Sequence, residues 1–132
     1  MPTPYRKRIL DHYQHPRHRG HLTAPDRVGE AENPLCGDRV RVELRLNGTG
    51  TVAEATFTGE GCVIALAAAS MLMEHIQGQP LEELRQLGDA DVVRWLGMDL
   101  RPARQACARV ALEALRNAIR NYSRKQEVGS RK

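Results

Sequence analysis

Arg39-Val40-Arg41-Val42-Glu43-Leu44-Arg45-Leu46, Asn47-Gly48-Thr49-Gly50 and Thr51-Val52-Ala53-Glu54-Ala55-Thr56-Phe57-Thr58 run consecutively and decide the fold class. In the first segment Val40, Val42, Leu44 and Leu46 alternate with Arg39, Arg41, Glu43 and Arg45, a period of two that puts one face in a core and the other in water. Asn47 to Gly50 supplies residues that tolerate the positive φ of a hairpin turn. The return segment turns Ala53, Ala55 and Phe57 to one side, so the pair reads as an antiparallel sheet with one buried face.

Outward from this hairpin the pattern changes. Upstream, Arg27 to Ala31 reads as a weaker strand and Asn33-Pro34-Leu35-Cys36-Gly37-Asp38 as a turn. Tyr5 to Tyr13 reads as a helix with Ile9, Leu10 and Tyr13 on one side, and Pro16 stops it; residues 14–25 are loop. Downstream everything reads as helix. Cys62 to Gln77 is apolar nearly all round until Glu74, as a central buried helix is, and Gly78 ends it. Leu81 to Leu87 starts after Pro80, Ala90 to Leu96 is capped by Asp89 and closed by Gly97, and Pro102 opens a last helix to about Tyr122. The expected fold is α+β: a three-stranded antiparallel sheet with helices packed on one face. Residues 1–122 form one domain and residues 123–132 a basic, flexible tail.

The chain has 132 residues, 41% hydrophobic and 27% charged, which is globular composition and one domain's length. Aromatics are only 4%, so Ala, Leu, Val, Ile and Met must build the core. Lys and Arg number 20 against 16 Asp and Glu, and part of the excess lies in the tail. The other basic residues alternate with acids, which is a solvated surface rather than the concentrated, aromatic-flanked patch of a nucleic-acid binder. The longest uncharged apolar run, Cys62 to Met73, is far short of the ~20 residues of a membrane span. The expectation is therefore a cytoplasmic protein with neither nucleic acid nor membrane as partner.

Three cysteines cannot close a disulfide framework among themselves. Cys36 lies in the Asn33–Asp38 turn, followed by Gly37 and Asp38. Cys62 follows Gly59-Glu60-Gly61 and opens the buried helix, where unpaired N–H groups favour a thiolate. Cys107 lies in the second turn of the last helix, on the side of Ala111, Ala114 and Ala118, whose small side chains permit close approach. Taken singly, each cysteine is equally well a buried apolar residue; glycine beside the thiol in two separate loops is what favours a ligand role. Three thiolates and one carboxylate suit zinc or an iron–sulfur cluster. Such a site is anionic, and Arg39, Arg104 and Arg109 are the nearby cations in sequence. An oxygen ligand grips soft metal–sulfur assemblies less firmly than a fourth thiolate, which suits temporary holding. His12, His15, His18 and His21, spaced by three, form a rival metal constellation that Pro16 interrupts. His75 reads as a packing residue. Neither a Gly-x-Ser-x-Gly nor a P-loop motif is present.

Asp11-His12-Tyr13-Gln14-His15-Pro16-Arg17, Asn33-Pro34-Leu35-Cys36-Gly37-Asp38 and Gly59-Glu60-Gly61-Cys62 with Ala69-Ser70-Met71 resemble the iron–sulfur cluster assembly family of IscU, SufU and the N-terminal domain of NifU. The resemblance covers roughly Tyr5 to Tyr122. It implies that Cys36, Asp38, Cys62 and Cys107 converge at one exposed end and hold zinc, iron or a transient [2Fe–2S] cluster. It implies a cysteine desulfurase as sulfur donor, Cys36 as the sulfur acceptor with Cys107 as the alternative, and apo iron–sulfur proteins as recipients. Two departures divide the roles. IscU-type proteins carry a His where this chain has Ala106, and SufU-type proteins lack that His too, yet the segment Gly78 to Arg101 lacks the SufU-type insertion. A scaffold that builds clusters and a zinc-dependent sulfurtransferase that stimulates the desulfurase without holding a cluster are both open, as is a purely structural zinc. Leu100-Arg101-Pro102-Ala103-Arg104 stands where IscU has Leu-Pro-Pro-Val-Lys, which makes recognition by a dedicated Hsp70 chaperone doubtful.

Overall fold

The computed structural model describes residues 3–35, 37–97, 100 and 102–130; Cys36, Arg101 and the tail residues Arg131 and Lys132 lie outside the described residues. In chain order the elements are α1 (Thr3–Gln14), β1 (Arg27–Asn33), β2 (Asp38–Leu46), β3 (Val52–Glu60), α2 (Val63–Ile76), α3 (Leu81–Leu84), α4 (Asp89–Leu96) and α5 (Pro102–Ser130). The sheet has order β1-β2-β3, antiparallel throughout. This is the expected α+β architecture, with α5 packed on β1 and β2 and α2 between α5, α1 and β3.

Val40, Val42 and Leu44 of β2 are buried as the alternation requires. Beneath them α2 contributes Ala65, Ala67, Ala68, Leu72 and Met73, and α5 contributes Ala108, Leu112, Leu115 and Ala118. The contact of α5 with β1 is close because Gly29 has no side chain: a Cβ there would fall on the backbone of Ala114 and Ala118. The small stripe expected on the last helix thus has a glycine as its counterpart. The outer edge of β3 is not bare. Gly20 donates to the Phe57 carbonyl at 2.9 Å and Phe57 to the His18 carbonyl at 3.0 Å, so the loop before β1 covers an edge that could otherwise pair with another chain.

Several expectations change, among them the third helix, which ends at Leu84 rather than Leu87, and Glu43, which is buried although the alternation put it in water. On α1, Ile9 and His12 are buried while Leu10 and Tyr13 are each 38% exposed. A polar residue takes the inward position because Ser70 and Glu74 satisfy it. On β3, Val52 is buried and Ala53 exposed, because the pairing jumps from Arg45↔Glu54 to Leu46↔Val52; this bulge reverses the phase of the alternation. α4 starts at Asp89, and its leading N–H, that of Gly88, is capped by Asp91 Oδ2 at 2.8 Å. β1 runs on to Asn33. α5 runs on past Tyr122 to Ser130, since Arg124, Lys125, Gln126 and Glu127 are good helix formers. No helix among the described residues is long and apolar enough to cross a membrane.

Candidate metal centre

Three junctions meet at one end of the sheet. The first is the β1–β2 turn, whose end residues Asn33 and Asp38 pair in register. Gly37, at φ +74°, donates to the Asn33 carbonyl at 2.8 Å, closing the turn and leaving Asp38 as the first residue of β2, fully buried. The second is the β3–α2 junction. Cys62 is the N-cap of α2, extended at φ −74° and ψ 169°, and its Sγ accepts the Ala65 N–H at 3.5 Å. The helix N-terminus and this N–H both turn partial positive charge toward that sulfur. The third is the second turn of α5, where Cys107 is buried.

Asp38 ties two of these junctions together, because its Oδ1 accepts the Cys62 N–H at 2.9 Å. One ligand atom each from Asp38, Cys62 and Cys107 lie within 4.8 Å of one another. Two thiolates bound to one zinc at 2.3 Å stand about 3.8 Å apart in a tetrahedron, so a small contraction suffices. Asp38 Oδ2 is buried and has no hydrogen-bond partner among the described residues, an expensive arrangement for a carboxylate unless something cationic completes it. The residues present fit a metal: soft sulfurs, one hard oxygen and an orphaned lone pair.

Of the expected ligands, the structure brings Asp38, Cys62 and Cys107 together; Cys36, the fourth, is the one outside the described residues. The expected cations are engaged elsewhere or exposed. Arg39 pairs with Glu32 at 3.6 Å, Arg109 faces Asp89 at 3.7 Å and Glu113 at 3.9 Å, and Arg104 is exposed.

The histidines do not converge. His12 Nδ1 meets Ser70 Oγ at 2.7 Å, His18 meets Gln77 at 2.9 Å, His21 meets Glu43 at 2.7 Å and His15 is exposed. His75 is a packing residue of an exposed kind, its ring stacked on Trp95 with centroids 3.8 Å apart. Burial, and then the nearby Arg17, push the His12 ring below its ordinary pKa of 6.5; partial desolvation also lowers the more exposed His75. Two residues near the centre escaped the sequence reading of chemistry. Gly61 was legible as a glycine before a cysteine, but not as the space the Asp38 carboxylate fills. Asn33, read as a turn former, also directs its Nδ2 at Cys107 Sγ, 3.9 Å away.

The chain is 35% identical over 138 residues to the zinc-dependent sulfurtransferase SufU of Bacillus subtilis, covering 90% of this chain and 91% of that one. It is 33% identical over 125 residues to the iron–sulfur cluster assembly scaffold protein IscU of Buchnera aphidicola, covering 92% and 97%. With the bifunctional protein NifU/MnmA of Rubrobacter xylanophilus it shares 36% over 126 residues, 96% of this chain but only 26% of that protein's length. The crystal structure of a nitrogen-fixing NifU-like protein (N-terminal) from Brucella abortus superposes with a TM-score of 0.73 at 23% identity over 92% of this chain and 95% of that one, which shows a shared fold. The family profile described as the NifU-like N terminal domain matches residues 4–128, nearly the whole sheet-and-helix body whose end carries the Asp38, Cys62 and Cys107 cluster, and the chain belongs to that family.

Proposed function

We propose that this protein is a scaffold of iron–sulfur cluster assembly, receiving sulfur from a cysteine desulfurase and holding iron or a [2Fe–2S] unit for transfer to apo-proteins. The observation that carries the reading is the convergence of two thiols and a carboxylate within 4.8 Å, with one carboxylate oxygen buried and unpartnered among the described residues. Cys36, two residues before Asp38 in sequence, is the fourth ligand in this reading. A bound zinc ion would keep its sulfur ligands as thiolates and shield the acceptor sulfur from oxidation.

Sulfur arrives without net redox change. The Cys36 thiolate attacks the outer sulfur of a persulfide on the desulfurase, the S–S bond of that persulfide breaks, and the desulfurase cysteine leaves as a thiolate while Cys36 becomes the persulfide. Cys107 is the alternative acceptor. Asp38 is the weak-field oxygen in an otherwise sulfur set, which suits release of the cargo. We place the reaction in the cytoplasm, where thiols stay reduced.

A second reading, a zinc-dependent sulfurtransferase, is favoured by Ala106, which stands where IscU-type proteins carry a histidine. Elemental analysis of the purified protein and anaerobic reconstitution with iron and sulfide separate the two: a stable visible chromophore supports the scaffold, and tight zinc with desulfurase stimulation but no chromophore supports the transferase. In either case Cys36→Ser, Cys62→Ser and Cys107→Ser each lose bound metal. Full metal and cluster content in all three variants would overturn both readings.

A further inference from the structure

Asn33 ends β1 with its side chain buried and serves three partners at once. Its carbonyl accepts the Gly37 N–H at 2.8 Å, its Oδ1 accepts the Leu35 N–H at 3.3 Å, and its Nδ2 is directed at Cys107 Sγ at 3.9 Å. In register it faces Asp38, another member of the donor cluster. One carboxamide therefore touches both the turn between the strands and the sulfur on α5, residues far apart in sequence. A buried carboxamide is costly unless its hydrogens find acceptors, and the acceptor that Nδ2 meets here is sulfur.

We propose that Asn33 is a positioning residue of the metal centre: its carboxamide donor orients the Cys107 sulfur toward Asp38 and Cys62, and its Oδ1 fixes the turn. The proposal rests on the metal-binding reading given above and adds a role to it. Three thiolates and a carboxylate overload a divalent ion with negative charge. A hydrogen bond to one sulfur draws off part of that charge without bringing a cation that would compete with the metal. An amide does this at any working pH, which an imidazole or a carboxyl would not.

The test uses the full chain with Co(II) as a spectroscopic probe and zinc in competition. Asn33→Ala removes both side-chain contacts. Asn33→Asp keeps an oxygen for the Leu35 N–H and the size of the side chain, but removes the N–H donor. Both variants are expected to bind Co(II) and zinc about tenfold or more weakly, the usual cost of losing a partner of a ligand. Both are expected to move the sulfur-to-cobalt charge-transfer band to lower energy, because a sulfur without its donor gives up electron density more readily. Circular dichroism and thermal melting establish that the variants are folded, and Asn33→Asp carries the test if Asn33→Ala is not.

Unchanged affinity and an unmoved band in the folded variants overturn the proposal while leaving the metal reading intact. Weaker binding with an unmoved band in Asn33→Asp also overturns it, since Asn33 then acts on the turn alone. Loss of the native fold in both variants makes Asn33 a folding residue and overturns it likewise. Failure of the unsubstituted protein to bind either ion overturns the metal reading, and this proposal with it.

Discussion

Gly61 has no side chain, and the Asp38 carboxylate occupies the space one would fill: a Cβ would lie 2.5 Å from Oδ1 and 3.1 Å from Cγ. The backbone there has φ +156°, a region L side chains rarely adopt. Gly61→Ala should therefore cost roughly 1–3 kcal/mol in backbone strain alone. It should also displace Asp38 from the Cys62 N–H it accepts at 2.9 Å. The expected outcome is a lower melting temperature together with reduced zinc content, measured on the same preparation; a variant with lowered stability and undiminished zinc would mean that Asp38 is not a ligand. At this scale the donor set was partly legible. Cys62 stood out because glycines precede it and a helix follows it, and both facts are local. Asn33 did not stand out, because its contact with Cys107 spans β1 to α5 and leaves no trace in spacing.

At the scale of elements, the seating of α5 on β1 sets where Cys107 falls. Gly29→Ala would drive a methyl into the backbone of Ala114 and Ala118, and neither strand nor helix can yield without moving the other. Such overpacking should cost about 1–3 kcal/mol. Gly48→Ala, in a turn with nothing within 4 Å of the added carbon, should stay within about 0.5 kcal/mol of the unsubstituted protein. Denaturant unfolding of the two variants side by side checks this, and equal stabilities would show that the helix seat is soft. The small residues Ala111, Ala114 and Ala118 announced a close approach in sequence, but nothing in sequence named Gly29 as the other surface. The hairpin shows the same limit. Alternation identified β2 and its buried Val40, Val42 and Leu44, because one face of that strand is uninterrupted. It failed at Ala53 and Val52, because a bulge belongs to the pairing of two strands and not to either one. On α1 the hydrophobic pattern chose Leu10 and Tyr13 over His12, since hydropathy cannot foresee a buried hydroxyl and a half-exposed carboxylate placed to meet an imidazole.

For the molecule as a whole, that imidazole links α1 to the core. His12 Nδ1 meets Ser70 Oγ at 2.7 Å, Nε2 faces Glu74 at 3.3 Å, and the Arg17 N–H reaches the same hydroxyl at 2.8 Å. If Ser70 donates to Nδ1, the remaining ring N–H faces Glu74 and every hydrogen is used. Burial, and then Arg17, lower the pKa of His12 below 6.5 despite Glu74 and Asp11, and partial desolvation does the same for the more exposed His75, which stacks on Trp95. Both rings therefore resist protonation in the folded state, whereas the unfolded chain takes up those protons as pH falls through 6.5. The unfolded state binds more protons in that interval, so stability rises with pH across it and is lost on acidification. The carboxylates with lowered pKa act in a separate window. Arg17 beside Asp11, and Arg41 and His21 outweighing the burial of Glu43, give stability that is present at neutral pH and lost only below about pH 4. The melting temperature should thus fall between about pH 7.5 and about pH 5.5, before those carboxylates protonate. His12→Asn keeps an acceptor for Ser70 but cannot titrate, so it should melt lower at neutral pH and show a flatter slope through this interval, with His75 supplying the remainder. Melting curves at matched ionic strength decide the matter: a His12→Asn variant as pH-sensitive as the unsubstituted protein would place the acid sensitivity outside the contact between α1 and α2.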